Sequence, residues 1–169
     1  NILVTGAGSG IGKATALLLG QQNAGIIVVD QHQETALQTT EELKELGVRA
    51  IFVVANISDA AAVDQMYAST MENFKTLDGI VHCAGIGIER TLMEMTREEW
   101  DRIIAVNLTG TFLCAQGAAK IMVKQRYGRI VLMGSAAGER GGTGRTAYGA
   151  SKGGVSAITR VMAVELAEL

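Results

Sequence analysis

The sequence predicts an α/β fold in which a parallel sheet carries helices on both faces, giving three layers. Short β-branched or apolar runs alternate with longer segments of helical period, as in repeated βα units. No linker, internal repeat or low-complexity segment interrupts this alternation, so we expect residues 1–169 to form one domain. The five runs predicted as strands are Ile2–Val4, Ile26–Val29, Ala50–Val54, Gly79–Val81 and Arg129–Met133.

The segments between the runs carry helix signals. One of them repeats apolar residues at i, i+3 and i+4 from Val63 to Phe74, and Ser58 is its predicted N-cap. Thr96 followed by Glu99 matches a capping box, which predicts a helix from there towards Gln125. The last helix is predicted to begin near Ala147 and to pass Val164, after a glycine-rich loop at residues 138–146.

The amino-acid composition and net charge limit the kinds of partner and the cellular location that we expect. The 169 residues are 48% hydrophobic and 19% charged, as in a globular domain, and the net charge of −2 gives no basic field for nucleic acid or an anionic membrane. No apolar run approaches the roughly 20 residues that span a bilayer. We therefore expect a cytoplasmic protein with a small-molecule partner.

The two cysteines, Cys83 and Cys114, lie in apolar surroundings without metal-ligand spacing, so we expect reduced, buried thiols. His82 beside Cys83 could form a metal pair. A structural zinc site needs four ligands, and no others stand at a useful spacing, so we predict no metal.

A glycine turn follows the first run and opens the first helix. In Thr5-Gly-Ala-Gly-Ser-Gly-Ile-Gly12, backbone N–H groups and the helix dipole can hold a pyrophosphate, and glycine lets the phosphate approach the backbone. This predicts a Rossmann-type, doubly wound sheet that binds a dinucleotide, although a glycine-rich turn without a ligand is the alternative. The residues expected at the cofactor are Gly6, Ser9, Gly10, Ile11 and Gly12.

Asp30 ends the second run, where a carboxylate can accept hydrogen bonds from the adenosine ribose hydroxyls. A 2′-phosphate there would meet a like charge, so Asp30 favours NAD over NADP. A solvated aspartate at a strand end is the alternative interpretation.

Tyr148 and Lys152 stand four residues apart, so a helix places both on one face. A phenol is a poor base at neutral pH, and we expect the Lys152 ammonium to favour the phenolate. Ser135 follows the fifth run, and Asn107 lies within the helix that starts at Thr96. Such a Tyr/Lys pair also occurs on solvated helix faces, and an asparagine in a helix can be purely structural.

In combination and in this order, the glycine turn, Asp30, Asn107, Ser135 and the Tyr148/Lys152 pair resemble the short-chain dehydrogenase/reductase family. The resemblance implies hydride transfer between NAD and a secondary alcohol or ketone, with Tyr148 as general acid/base and Ser135 on the substrate oxygen. It further implies that Lys152 binds the nicotinamide ribose and that Asn107 holds a relay water. Cofactor contacts are also implied for Asn56, Ile57, Ala84, Gly85, Tyr148 and Lys152.

The same resemblance implies a homodimer or homotetramer formed through the two long helices, residues 98–125 and 147–168. The chain departs from the family at His82-Cys83-Ala84-Gly85, where Asn-Asn-Ala-Gly is usual, and at Asn56, where an Asp is frequent. We expect altered sheet hydrogen bonding there rather than lost cofactor binding. Arg140 and Arg145 of the glycine-rich loop are interpreted as solvated residues rather than as contacts of an anionic substrate.

Two further expectations concern the whole protein. The alternative to an enzyme is a catalytically silent module for dinucleotide binding or oligomerisation. Only five strands are predicted where such a sheet usually has six, and the helix after Ala147 returns to no strand. We therefore expect the natural polypeptide to continue beyond Leu169, because the apolar face of that helix would otherwise lose part of its cover.

Overall fold

A five-stranded parallel sheet forms the centre of the computed structural model, which describes residues 1–169. The strand order is β3-β2-β1-β4-β5, and Ile2 of β1 pairs with Ile26 of β2 on one side and with Gly79 of β4 on the other. The predicted strands are confirmed to within one residue at their ends. They are β1 Ile2–Thr5, β2 Ile26–Asp30, β3 Ala50–Val54, β4 Gly79–His82 and β5 Arg129–Leu132.

Helices connect successive strands, and the order of connection reverses between β1 and β4. That reversal opens a crevice at the carboxyl ends of the strands, the usual ligand position in doubly wound sheets. The helices are α1 Gly10–Gln21, α2 Gln33–Glu45, α3 Ala60–Phe74, α4 Arg97–Ile104, α5 Gly110–Gln125 and α6 Thr146–Glu165. One π-helical turn, Ala105–Thr109, joins α4 to α5. None of these helices combines the length and apolar character required to cross a membrane.

The sequence predicted the N-terminal caps of two helices, and the structure confirms the cap of α4 but not that of α3. Thr96 and Glu99 form the predicted capping box at the start of α4. Ser58 does not cap α3, because the helix begins at Ala60 and the residue before it is Asp59. The Asp59 carboxylate accepts from the backbone N–H of Ala61 at 2.9 Å, whereas Ser58 bonds the side chain of Asn56.

The core lies on both faces of the sheet, as the sequence predicts. On one face Leu3, Ile27 and Ile80 pack with side chains of α3 and α5, and on the other face Val4 and Val28 pack with α1 and α2. Cys114 is buried in the first of these clusters, as predicted. The prediction for Cys83 is wrong, because this thiol is only half-buried and lines the crevice.

The β5 edge is less completely covered than the rest of the sheet. Beside it, an apolar groove of about 420 Å³ runs between the C-terminal parts of α5 and α6. On α6, Val155 is buried but Val161 is 54% exposed. Part of the apolar face of this helix is therefore in contact with solvent.

Candidate active site

A cavity of about 590 Å³ opens at the crevice between the ends of β1, β2, β3 and β4. Its volume lies in the range that cofactor sites occupy. The structure brings together here ten residues for which the sequence predicted cofactor contact. They are Gly6, Ser9, Gly10, Ile11, Gly12, Asp30, Asn56, Ile57, Ala84 and Gly85.

The glycine turn has the shape that a phosphate cradle requires. Gly6 has a φ of +64°, and a Cβ on it would lie 2.9 Å from the backbone of Ala84. A Cβ on Gly12 would overlap the carbonyl oxygen of Gly6. Gly10 has a φ of +52° and borders the cavity with no protein atom near its Cβ position, so a side chain would project towards the ligand. No side chain caps the N-terminus of α1, and its free N–H groups can bind the phosphates of a dinucleotide.

Asp30 couples the end of β2 to this turn. One carboxylate oxygen accepts from the N–H of Gly8 at 3.0 Å and the other accepts from the N–H of His32 at 3.0 Å. Each oxygen keeps acceptor capacity, because an ionised carboxylate offers about four lone-pair positions. Asp30 can therefore accept two ribose hydroxyls in the cavity while it holds the turn.

Tyr148 and Lys152 lie together on α6, as their spacing predicts. The Lys152 Nζ is 5.8 Å from the centroid of the Tyr148 ring and donates to the carbonyl of Met133 at 2.7 Å. Lys152 is only 6% exposed, and burial lowers its pKa below the usual value. The ammonium of Lys152 is therefore held in a fixed, partly desolvated position near the Tyr148 ring.

Ser135 lies directly before a short turn of small residues that packs against α6. Its Oγ accepts from the N–H of Ala137 at 3.2 Å, inside a short 3₁₀ turn, Ala136–Gly138. A Cβ on Gly138 would lie 2.6 Å from the N of Gly153, so this turn rests directly on α6. Because Ala137 donates to the oxygen, the hydroxyl proton of Ser135 remains free for another acceptor.

Asn107 is fully buried in the π-helical turn and is held by the loop after β4. Its Oδ1 accepts from the N–H of Ile86 at 2.8 Å, and its Nδ2 donates to the carbonyl of the same residue at 2.8 Å. The Nδ2 also lies 3.3 Å from the Oγ of Ser151, which donates to the carbonyl of Tyr148 at 2.7 Å. Asn107 therefore connects the cavity wall to α6.

His82 shows how the chain accommodates its departure from the family pattern. The Oγ1 of Thr5 accepts from the N–H of Ala84 at 3.2 Å and lies 3.0 Å from the Nδ1 of His82. Burial lowers the pKa of His82 to about 4, and the charge of Lys152 acts in the same direction. The ring is neutral at pH 7, and its Nε2 is buried without a partner in the chain. No group of three or more His, Cys, Asp or Glu side chains with metal-binding geometry occurs.

A family model described as short chain dehydrogenase matches residues 1–169. The chain belongs to the short-chain dehydrogenase family. A 3-oxoacyl-(acyl-carrier-protein) reductase of Synechocystis is 42% identical over 98% of the chain and 67% of the relative. The short-chain reductase protein NovJ of Streptomyces niveus is 38% identical over 97% of the chain and 62% of the relative.

Two solved structures of dehydrogenases share this fold. An NAD⁺-bound xylitol dehydrogenase superposes with a TM-score of 0.96 at 34% identity, over 98% of this chain and 64% of the other. A putative gluconate dehydrogenase of Agrobacterium tumefaciens superposes with a TM-score of 0.94 at 32% identity. The match covers 98% of this chain and 65% of the other. The chain thus spans about two thirds of the length of these relatives.

Several residues of the site were missed from the sequence. Cys83, Ile86, Arg102, Ala105 and Val106 also line the cavity. Arg102 stands one helical turn before Val106, so both lie on the same face of the helix. This spacing was the one sign in the sequence that Arg102 could line the cavity together with Val106. The side chain of Arg145 is 42% exposed, as expected, and it also pairs with Glu89 and lies beside Tyr148. Arg140 is exposed, as expected.

Proposed function

We propose that this chain carries the cofactor site and the catalytic residues of an oxidoreductase that interconverts a secondary alcohol and a ketone. The observation that carries the proposal is the buried ammonium of Lys152, fixed 5.8 Å from the Tyr148 ring. Burying a cation has a large desolvation cost, so a neighbouring group that becomes anionic is the simplest physical reason to keep it there.

Tyr148 serves as the general acid/base in this proposal. It accepts the proton of the substrate hydroxyl during oxidation and returns a proton to the carbonyl oxygen during reduction. Ser135 donates its free hydroxyl proton to the same substrate oxygen and holds it against the phenol. A bound nicotinamide would supply the hydride acceptor or donor. In this proposal Lys152 stabilises the phenolate form of Tyr148 and binds the nicotinamide ribose.

We assign NAD as the cofactor. The carboxylate of Asp30 lines the cavity at the end of β2, and it would repel a 2′-phosphate. The related xylitol dehydrogenase, which was crystallised with NAD⁺, supports the same choice. In the cavity, Asn56, Ile57, Ala84 and Gly85 would complete the wall around the dinucleotide.

The contacts of Asn107 support a positioning role within the proposed site, because its amide is occupied by Ile86 and Ser151. A relay water held at Asn107 stays a prediction.

We also propose a homodimer or homotetramer that uses α5 and α6, where Phe112 and Val164 expose apolar surface. The partner class is a small alcohol or carbonyl compound rather than nucleic acid.

Two measurements test the function. NADH binding is followed by calorimetry, and turnover is followed by nicotinamide absorbance with a panel of secondary alcohols and ketones. We expect binding and turnover in the wild-type protein, and binding without turnover in Tyr148→Phe. A wild-type protein that binds NADH but turns over no substrate, just like Tyr148→Phe, would favour the silent dinucleotide-binding module instead.

A further inference from the structure

Two cations lie near the ring of Tyr148, and the proposed chemistry uses only one of them. The guanidinium carbon of Arg145 is 5.8 Å from the centroid of the Tyr148 ring, the same distance as the Nζ of Lys152. Arg145 precedes the tyrosine by three residues, at the end of the glycine-rich loop. Lys152 is buried, whereas the side chain of Arg145 is 42% exposed and can be reached by a ligand.

A second loop holds Arg145 in this place. The Nη2 of Arg145 lies 2.5 Å from a carboxylate oxygen of Glu89, in the segment after β4. Next to this pair, the N–H of Arg90 donates to the carbonyl of Gly144 at 3.1 Å, so the two loops are also joined through their backbones. The Glu89 side chain is 69% exposed, and exposed ion pairs contribute little to stability. The pair therefore orients the guanidinium more than it stabilises the fold.

Most of the hydrogen-bonding capacity of Arg145 remains available. A guanidinium has five N–H donors in a planar fork, and Glu89 contacts the Nη2 alone. Lys152 differs, because it is buried, one of its three donors bonds the Met133 carbonyl, and the proposed function assigns the others to the nicotinamide ribose. Arg90 differs as well, because its Nε pairs with Glu99 at 3.1 Å. Arg145 is thus the exposed cation beside the tyrosine, and the donors that Glu89 leaves free are accessible to a ligand.

We propose that Arg145 binds an anionic group of the substrate, and that the substrate class is a hydroxy acid or the corresponding keto acid. A planar fork fits a carboxylate with two parallel hydrogen bonds. Because the Arg145 guanidinium carbon is 5.8 Å from the centroid of the Tyr148 ring, we expect the carboxylate to lie within a few bonds of the reacting carbon. This inference rests on the proposed function, since it assumes that the reacting oxygen lies on Tyr148.

The reaction balances with NAD⁺ as the oxidant. The hydroxyl proton of the hydroxy acid passes to the Tyr148 phenolate and then to solvent, and the hydride of the carbinol C–H bond passes to the nicotinamide. The products are the keto acid, NADH and one proton. The substrate carboxylate keeps its charge throughout, so Arg145 binds substrate and product alike and determines specificity rather than the chemical step.

The test compares each acid with its uncharged amide. Steady-state kinetics are measured with lactate against lactamide and with 3-hydroxybutyrate against 3-hydroxybutyramide. We expect the wild-type protein to favour the acids, and Arg145→Ala to lower kcat/KM for the acids by about tenfold to hundredfold, as for lost hydrogen bonds to a charged group. The amides should change little. Any effect of Arg145 on the Tyr148 phenolate would act on acid and amide equally, so it cancels in their ratio.

Two further variants are compared: one is a control, and the other probes the contact between Glu89 and Arg145. Arg140→Ala removes an exposed arginine from the same loop and should leave the acid-to-amide ratio at its wild-type value. Glu89→Gln keeps the size of the side chain but removes its charge, and it should raise KM for the acids because the guanidinium is less well oriented. An unchanged acid-to-amide ratio in Arg145→Ala would overturn the inference while leaving the oxidoreductase proposal intact.

A binding measurement keeps the inference testable if none of the four compounds is turned over. Oxamate, an inert carboxylate, is titrated by calorimetry into the protein saturated with NADH. Binding that is lost in Arg145→Ala and retained in Arg140→Ala would support the anion site. Absence of oxamate binding in the wild-type protein, or binding that survives Arg145→Ala, would contradict it.

Discussion

The side-chain amide of Asn107 bonds both backbone groups of Ile86, with N–H and carbonyl contacts of 2.8 Å each. This pairing reproduces what a neighbouring strand would provide, although Asn107 lies in a helix. It fixes the loop that follows Ala84 and Gly85, and both of these residues line the cavity. A single buried side chain thus sets the position of one wall of the cofactor site.

We predict that Asn107→Ala lowers the free energy of unfolding by about 1–3 kcal/mol for each backbone group left without a partner. Asn107→Asp keeps the size of the side chain but loses the amide donor to the Ile86 carbonyl, so it should also destabilise the protein. Urea denaturation measures both changes. The matched control is Asn73→Ala, which removes one exposed hydrogen bond to Ser69 on α3. If Asn107→Ala lowers the free energy of unfolding no more than Asn73→Ala does, the positioning role is contradicted.

The second prediction concerns the choice of cofactor. NAD should bind at least about tenfold more tightly than NADP, a difference of about 1.4 kcal/mol. Asp30→Asn should reduce this ratio, because the like charge that repels a 2′-phosphate is removed. The asparagine retains one acceptor oxygen and is therefore a milder change than Asp30→Ala, which would also release the N–H groups of Gly8 and His32.

Calorimetric titration with both cofactors measures the ratio. Asp59→Asn is the control, since Asp59 caps α3 and does not line the cavity. Equal affinities of the wild-type protein for NAD and NADP would remove Asp30 from the specificity determinants.

The third prediction separates cofactor binding from chemistry. Tyr148→Phe should lose at least about a hundredfold in kcat, the lower range for general acid/base catalysis, while the Kd for NADH changes little. Tyr127→Phe provides the control, because Tyr127 is exposed and lies beside β5, away from the cavity. Stopped-flow measurement of hydride transfer shows whether the loss lies in the chemical step. Near wild-type turnover in Tyr148→Phe would mean that another group moves the proton.

The strands, the glycine turn and the Tyr148/Lys152 pair could be predicted because each depends on a short stretch of sequence. The contact of Thr5 with His82 could not, because the two residues are 77 positions apart and meet only through the parallel register of β1 and β4. The resemblance to the family implies that His82 stands where an asparagine is usual, but it does not show which side chain lies opposite.

The π-helical turn at Ala105–Thr109 illustrates a second limit. The apolar period from Thr96 towards Gln125 is that of one continuous helix, and no proline marks an interruption. The turn coincides with Asn107, whose side chain reaches the distant segment at Ile86. Similarly, the pairing of Glu89 with Arg145 joins two loops that the sequence shows only as polar or glycine-rich. Both features depend on tertiary contacts, which local patterns do not contain.

The last prediction is a pH dependence of stability that arises from His82. Its folded pKa is about 4 against an ordinary value of 6.5, mainly because burial disfavours the charged ring. Between these two values the unfolded chain binds a proton that the folded chain does not. Stability is therefore lost as the pH falls from 6.5 towards 4, by at most about 3 kcal/mol over the window.

Urea denaturation of the wild-type protein and of His82→Asn across this pH range isolates the contribution. Carboxylates also titrate in acid, but they are common to both proteins, so the difference between the two curves reports His82 alone. We expect the free energy of unfolding of His82→Asn to fall less steeply below pH 6.5 than that of the wild-type protein. His32→Asn, which changes an exposed histidine, should follow the wild-type slope. Parallel curves for the wild-type protein and His82→Asn would show that the buried ring accepts a proton without cost, contrary to its burial and to the effect of the Lys152 charge.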